Sequence, residues 1–64
     1  MAADVEIVKI GMNLYEVRCA DDEAIEFVQE YFDDYDYPVV IDRDQAFDLV
    51  AALDQTSFTY KFNL

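Results

Sequence analysis

The side chains of this chain that can do chemistry are almost all carboxylates. Eight of them, Asp21, Asp22, Glu23, Glu26, Glu30, Asp33, Asp34 and Asp36, fall within sixteen residues that contain no lysine or arginine. Asp22, Glu26 and Glu30 are spaced i, i+4, i+8, so on a helix they form one row with axial steps of ~6 Å. Were the whole stretch helical, it would be ~24 Å long and carry about one charge every 3 Å. One strand of B-form DNA carries a phosphate every ~3.4 Å. No base stands at i±4 to relieve the row, so each neighbouring pair repels by ~0.2–0.5 kcal/mol. Solubility alone does not require so one-sided a face.

Aromatic rings interleave with these acids in Tyr31-Phe32-Asp33-Asp34-Tyr35-Asp36-Tyr37. An arginine from a partner can stack on a ring while pairing with an acid. Phe32 and Tyr31 are expected in the core, whereas Tyr37, next to Pro38 and past the helix, is expected to be exposed. The partner-binding set read from the sequence is therefore Asp21, Asp22, Glu23, Glu26, Glu30, Asp33, Asp34, Asp36 and Tyr37.

Other chemistry is excluded by what the chain lacks. It has no histidine, a single cysteine (Cys19) and a single glycine (Gly11). That removes Ser-His-Asp and Cys-His catalysis, Cys/His zinc sites, an internal disulfide and Gly-rich phosphate loops. Asp34-x-Asp36 and Asp42-x-Asp44 each supply the first two ligand positions of a calcium loop. Neither has the glycine at position 6 or the glutamate at position 12. Cys19 shares a strand face with Tyr15 and Val17 and reads as a small core residue, its thiol made less acidic by nearby carboxylates. No catalytic residue, metal site or cofactor is expected, and the chain reads as a non-enzyme.

Charge then selects partners. Fifteen acids against four bases give a formal net charge of −11 over 64 residues. Such a field repels nucleic acid and anionic membrane and attracts basic protein surfaces. The apolar runs are short and broken by charge, and Met1-Ala2-Ala3-Asp4 lacks the basic, apolar start of a signal peptide. A cytoplasmic protein is expected. Hydrophobic residues at 55% are too many for a disordered acidic tail.

The elements that must position the acids follow from periodicity. Asp4 to Ile10 is β-branched and part-charged, Gly11-Met12-Asn13 offers residues tolerant of positive φ, and Leu14 to Ala20 alternates. Together they predict a β-hairpin. Asp21-Asp22-Glu23 opens a helix whose apolar stripe is Ala24, Phe27, Val28, Tyr31, Phe32 and Tyr35, fraying within residues 33–36. Val39-Val40-Ile41 predicts a short strand. Asp42-x-x-Gln45 is a capping box that opens a second helix lined by Ala46, Leu49, Val50 and Leu53, with Phe47 at its margin. In the last segment Phe58, Tyr60, Phe62 and Leu64 point one way and Ser57, Thr59, Lys61 and Asn63 the other, as in a half-buried strand that can lie at a sheet edge.

The expected fold is a single α+β domain over residues 1–64, a small two-layer sandwich. One mostly antiparallel sheet of three to four strands carries two helices on one face, in the order ββαβαβ. If residues 39–41 are only an extended connection, the order is ββααβ. The expected function is that of a small acidic inhibitor imitating nucleic acid in the basic groove of a nuclease, polymerase, repressor or defence complex, a role suited to a phage. The alternative is an assembly module that associates through an exposed strand and aromatic patch, with a homodimer through an edge strand and acidity serving solubility.

Overall fold

A computed structural model describes residues 3–63 of the chain. Its elements run β1 (Val5–Gly11), β2 (Leu14–Cys19), α1 (Asp22–Phe32), β3 (Val39–Ile41), α2 (Arg43–Leu53) and β4 (Tyr60–Asn63). This is the ββαβαβ order, so residues 39–41 form a true strand. The sheet order is β3-β2-β1-β4. β1 pairs antiparallel with β2, β2 antiparallel with β3, and β1 parallel with β4. The fold is thus a small α+β sandwich on a mixed, mostly antiparallel sheet.

Alternation along the strands decides which sheet face is dry. Val5 and Ile7 on β1, Tyr15 and Val17 on β2, and Val39 and Ile41 on β3 are buried. The register aligns them, with Ile7 opposite Val17 and Val17 opposite Val39. Ala24 and Val28 of α1 and Ala46, Leu49 and Leu53 of α2 complete one apolar cluster with them. Both helices therefore cover the same sheet face, as their stripes require. Phe58, Tyr60 and Phe62 pack against the rim of this cluster. Leu64, expected to continue their row, lies outside the described residues.

β4 becomes an edge strand through a reciprocal clamp. The Asp4 amide donates to Thr59 Oγ1 at 2.9 Å, and the Thr59 amide donates to Asp4 Oδ2 at 3.0 Å. The pair fixes the start of β4 against β1 across almost the whole chain length.

The hairpin departs from its sequence reading. Its connecting residues are Met12 and Asn13, and neither they nor Gly11 adopts positive φ. A two-residue connection of that kind does not match the twist of the flanking strands. The register instead shifts between Lys9 and Gly11, leaving Ile10 as the extra residue of a bulge. Asn13 contributes through its side chain, whose Oδ1 accepts from the Arg43 amide at 3.1 Å. That bond joins the hairpin tip to the start of α2.

Candidate acidic docking surface

α1 begins because Asp21 is an N-cap. Its backbone is extended and its Oδ1 accepts from the Ala24 amide at 2.9 Å. Asp22 and Glu23 in the first turn meet the positive end of the helix dipole. Glu26 and Glu30 continue outward from Asp22, and all three are exposed. Glu30 lies near the negative end of the dipole, where the last turn holds no base. The row is thus favoured at its start and opposed at its end.

The helix stops at Phe32 because Asp33 adopts the left-handed conformation, φ 51° and ψ 42°. The Asp33 amide donates to the Glu30 carbonyl and the Asp34 amide to the Gln29 carbonyl, at 3.3 and 3.0 Å. This is a Schellman closure with aspartate where glycine is usual. Beyond it the loop holds itself. Asp34 Oδ1 accepts from the Asp36 amide at 3.1 Å, and the Gln29 side chain donates to the Tyr35 carbonyl at 3.1 Å.

The structure divides the sequence-derived set accordingly. Asp22, Glu23, Glu26 and Glu30 share the outer surface of α1, which rises only ~12 Å from the first to the last. Asp33 and Asp36 are exposed beyond it, Asp34 is half-buried on its own loop, and Asp21 is occupied as a cap. The 24 Å helical ridge is not formed, because the Schellman closure turns the chain after Phe32. Tyr35 accordingly leaves the apolar stripe and is 65% exposed, more than Tyr37 at 44%. Tyr37 is also tethered, since its hydroxyl accepts from the Cys19 amide at 2.8 Å. Tyr31 is not a core residue either. Its ring stacks on Phe27 and meets Phe32 edge-on, while its outer side stays exposed.

Tyr31 instead bridges the two helices, its hydroxyl donating to the Asp48 carbonyl at 3.3 Å. This bond brings in acids that the sequence reading left out. Asp44 and Asp48, spaced i, i+4 on α2, are both exposed, so α2 supplies a second acidic line. Their spacing is the signal that identifies them. Within the same helix Asp42 closes the expected capping box, accepting from the Gln45 amide at 2.8 Å while Gln45 Oε1 accepts from the Asp42 amide at 3.1 Å.

Charge is segregated between the layers. The strands and their flanks carry Asp4, Glu6 and Glu16 against Lys9, Arg18 and Lys61, which balance. The other twelve acids and Arg43 lie in residues 21–54 on the helices, their caps and the loop after α1, so that segment holds the entire net charge of −11. Among the described residues the one ion pair is Arg18–Glu16 at 2.6 Å, on the strands. It holds the Arg18 guanidinium above its ordinary pKa, through the hydrogen bond first and the charge second. Arg43 stands 5.5 Å over the Phe47 ring. Among the described residues no base forms an ion pair with the α1 row.

Among the described residues no pocket forms, no group of three metal-ligating side chains comes together, and no helix is long and apolar enough to cross a membrane. What the surface offers is a set of exposed carboxylates on the two helices and the loop after α1, with half-exposed rings among them. No family model, curated protein or solved structure matches the chain.

Proposed function

We propose that this protein is a non-enzymatic inhibitor that presents its helical layer, in place of nucleic acid, to the basic groove of a nucleic-acid-binding protein. The observation that carries this reading is the segregation of charge: a neutral strand layer and a helical layer holding all eleven net negative charges. Four acids along ~12 Å of α1 give one charge per ~4 Å, close to the phosphate spacing of a DNA strand. Asp44 and Asp48 add two exposed acids on α2, which Tyr31 joins to α1. Tyr31 and Tyr35, 44% and 65% exposed, are aromatic side chains that a groove arginine can reach. Occupancy of the groove is sufficient for inhibition. Such an inhibitor works where its target works, in the cytoplasm, and suits a phage or mobile element opposing host machinery.

The reading as an assembly module receives less support. Phe58, Tyr60 and Phe62, which would form its aromatic patch, pack against the core.

The test is capture by the tagged protein from the cells that carry it, repeated with the variant Asp22→Lys/Glu26→Lys/Glu30→Lys. The wild type is expected to retain nucleic-acid-binding proteins at low salt, to release them as salt rises, and to lose them to competing duplex DNA. The variant is expected to bind at least about tenfold more weakly, a loss of about 1.4 kcal/mol. Capture of proteins that bind no nucleic acid, or capture indifferent to salt, overturns the proposal.

A further inference from the structure

The exposed aromatic residues sort with the acids. Among the described residues the large aromatic side chains left exposed are Tyr31, Tyr35, Tyr37 and Phe47, all within the segment that carries the net charge. The exposed apolar groups of the hairpin and of β3 are aliphatic, namely Ile10, Met12, Leu14 and Val40. Two of the aromatic residues are engaged within the chain. Tyr37 is tied to Cys19 by its hydroxyl, and Phe47 lies under Arg43. Tyr31 and Tyr35 remain, and both stand at the Glu30 end of α1. Tyr31 is in the last turn, held by its hydroxyl on the Asp48 carbonyl and by its stacking on Phe27. Tyr35 is drawn back to that turn by the 3.1 Å bond from the Gln29 side chain to its carbonyl.

Taking the helical layer as a nucleic-acid mimic, the reading on which this assignment rests, we propose that the form imitated is a single strand. The partner is then a protein whose basic groove tracks phosphates while its aromatic side chains stack on unpaired bases. A duplex shows two phosphate rows and the edges of its base pairs, with the base faces hidden in the stack. Acids alone serve to imitate it. A single strand shows one phosphate row and free base faces, and its general binders join a positive groove to aromatic platforms. α1 supplies one row, Asp22, Glu26 and Glu30, with two tyrosines at its end.

The step of the row agrees. Glu23 stands off it, and the row itself advances ~6 Å per acid. That is nearly twice the ~3.4 Å between phosphates along a stacked strand. Unstacking the bases lengthens a strand in this direction. An aromatic platform accepts any π face, so a tyrosine ring can occupy the place of a base.

The test is fluorescence anisotropy on the partner captured by the tagged protein. The probes are labelled oligo(dT) and oligo(U) of about 20 nucleotides, longer than one single-strand site, and a labelled duplex of the same length. The partner is expected to bind one of the single strands at least about tenfold more tightly than the duplex, and the protein to displace it competitively. Tyr35→Ala should raise the concentration needed for displacement about fivefold or more with circular dichroism unchanged, whereas Tyr35→Phe should stay within about twofold of the wild type. Tyr35→Leu keeps apolar bulk without a ring, should match the alanine variant, and decides the matter if that variant fails to fold. A partner that prefers the duplex, with capture still sensitive to salt and lost in Asp22→Lys/Glu26→Lys/Glu30→Lys, overturns the single-strand assignment and leaves the mimicry standing. Displacement indifferent to both Tyr35→Ala and Tyr35→Leu overturns it as well. A partner that binds none of the three probes, or no capture at low salt, overturns both.

Discussion

Cys19 closes β2 between the buried sheet and the acidic start of α1, and its thiol is pushed up to about 11. Burial is the larger cause, because it disfavours the thiolate, and the Asp21 carboxylate adds to it. Between about pH 9 and pH 11 the unfolded chain releases this proton while the folded chain keeps it. The contribution to stability is therefore complete below about pH 9 and is lost as pH rises towards 11. Tyr60, raised chiefly by donating to the Asp54 carboxylate at 2.7 Å, titrates in the same direction. Urea unfolding of Cys19→Ala should thus show a shallower alkaline decline than the wild type. Iodoacetamide should alkylate native Cys19 at least about tenfold more slowly than a free cysteine at neutral pH, since burial and Asp21 lower the thiolate fraction. Ordinary reactivity in the native protein would show the thiol to be neither buried nor under the influence of Asp21. The direction of this effect is readable from the sequence, because Cys19 alternates with Tyr15 and Val17 and is followed by three acids. The anchoring of Tyr37 to the Cys19 backbone is not, because it joins groups eighteen residues apart through a loop of irregular shape.

At the scale of elements, α1 sets stability against binding. Glu26 stands between Asp22 and Glu30, so Glu26→Lys converts two repulsions into two attractions, with Asp22 in the favoured acid-first orientation. The expected gain is about 1 kcal/mol, or a rise of roughly 4–8 °C in Tm for a domain of this size. Binding to a basic groove should fall in the same variant. Thermal unfolding monitored by circular dichroism, run beside the capture assay, reads both signs. A variant less stable than the wild type would mean that Glu26 makes a favourable contact and is not merely repelled. Both helices and three of the strands are legible, because their signals are local: stripes at 3.6 residues, alternation at 2, and the capping box at Asp42 and Gln45; β3, only three residues long, leaves the ββααβ order open until its pairing with β2 is seen. The end of α1 was legible only to within a few residues. Asp33 takes the left-handed backbone, but other aspartates can do so too, and the sequence does not mark which one does. The hairpin misled for a related reason. Glycine and asparagine permit positive φ without requiring it, and the bulge at Ile10 supplied the curvature instead.

The whole molecule adds what no segment contains, namely the sorting of charge by layer. The run of acids from Asp21 to Asp36 was visible in the sequence, but the adjacency of α2 depends on the Tyr31–Asp48 contact and on both helices choosing one sheet face. That sorting has a consequence for the free protein. Twelve acids and one base lie in residues 21–54 of a body 19 Å thick along its shortest axis, so many pairs fall within a Debye length at 0.1 M salt and more at 0.01 M. Their repulsion opposes the compact state and is relieved on unfolding. Raising NaCl from about 0.01 to 0.5 M should accordingly raise Tm, by roughly 4–8 °C for each 1 kcal/mol of repulsion screened. In Asp22→Lys/Glu26→Lys/Glu30→Lys six units of net charge are removed from the same layer, and the salt dependence should flatten while target binding is lost. Parallel salt curves for the two proteins would mean that the α1 row carries no self-repulsion. The acids would then be ordinary solvated groups, and the main argument for a phosphate-like surface would fall with them.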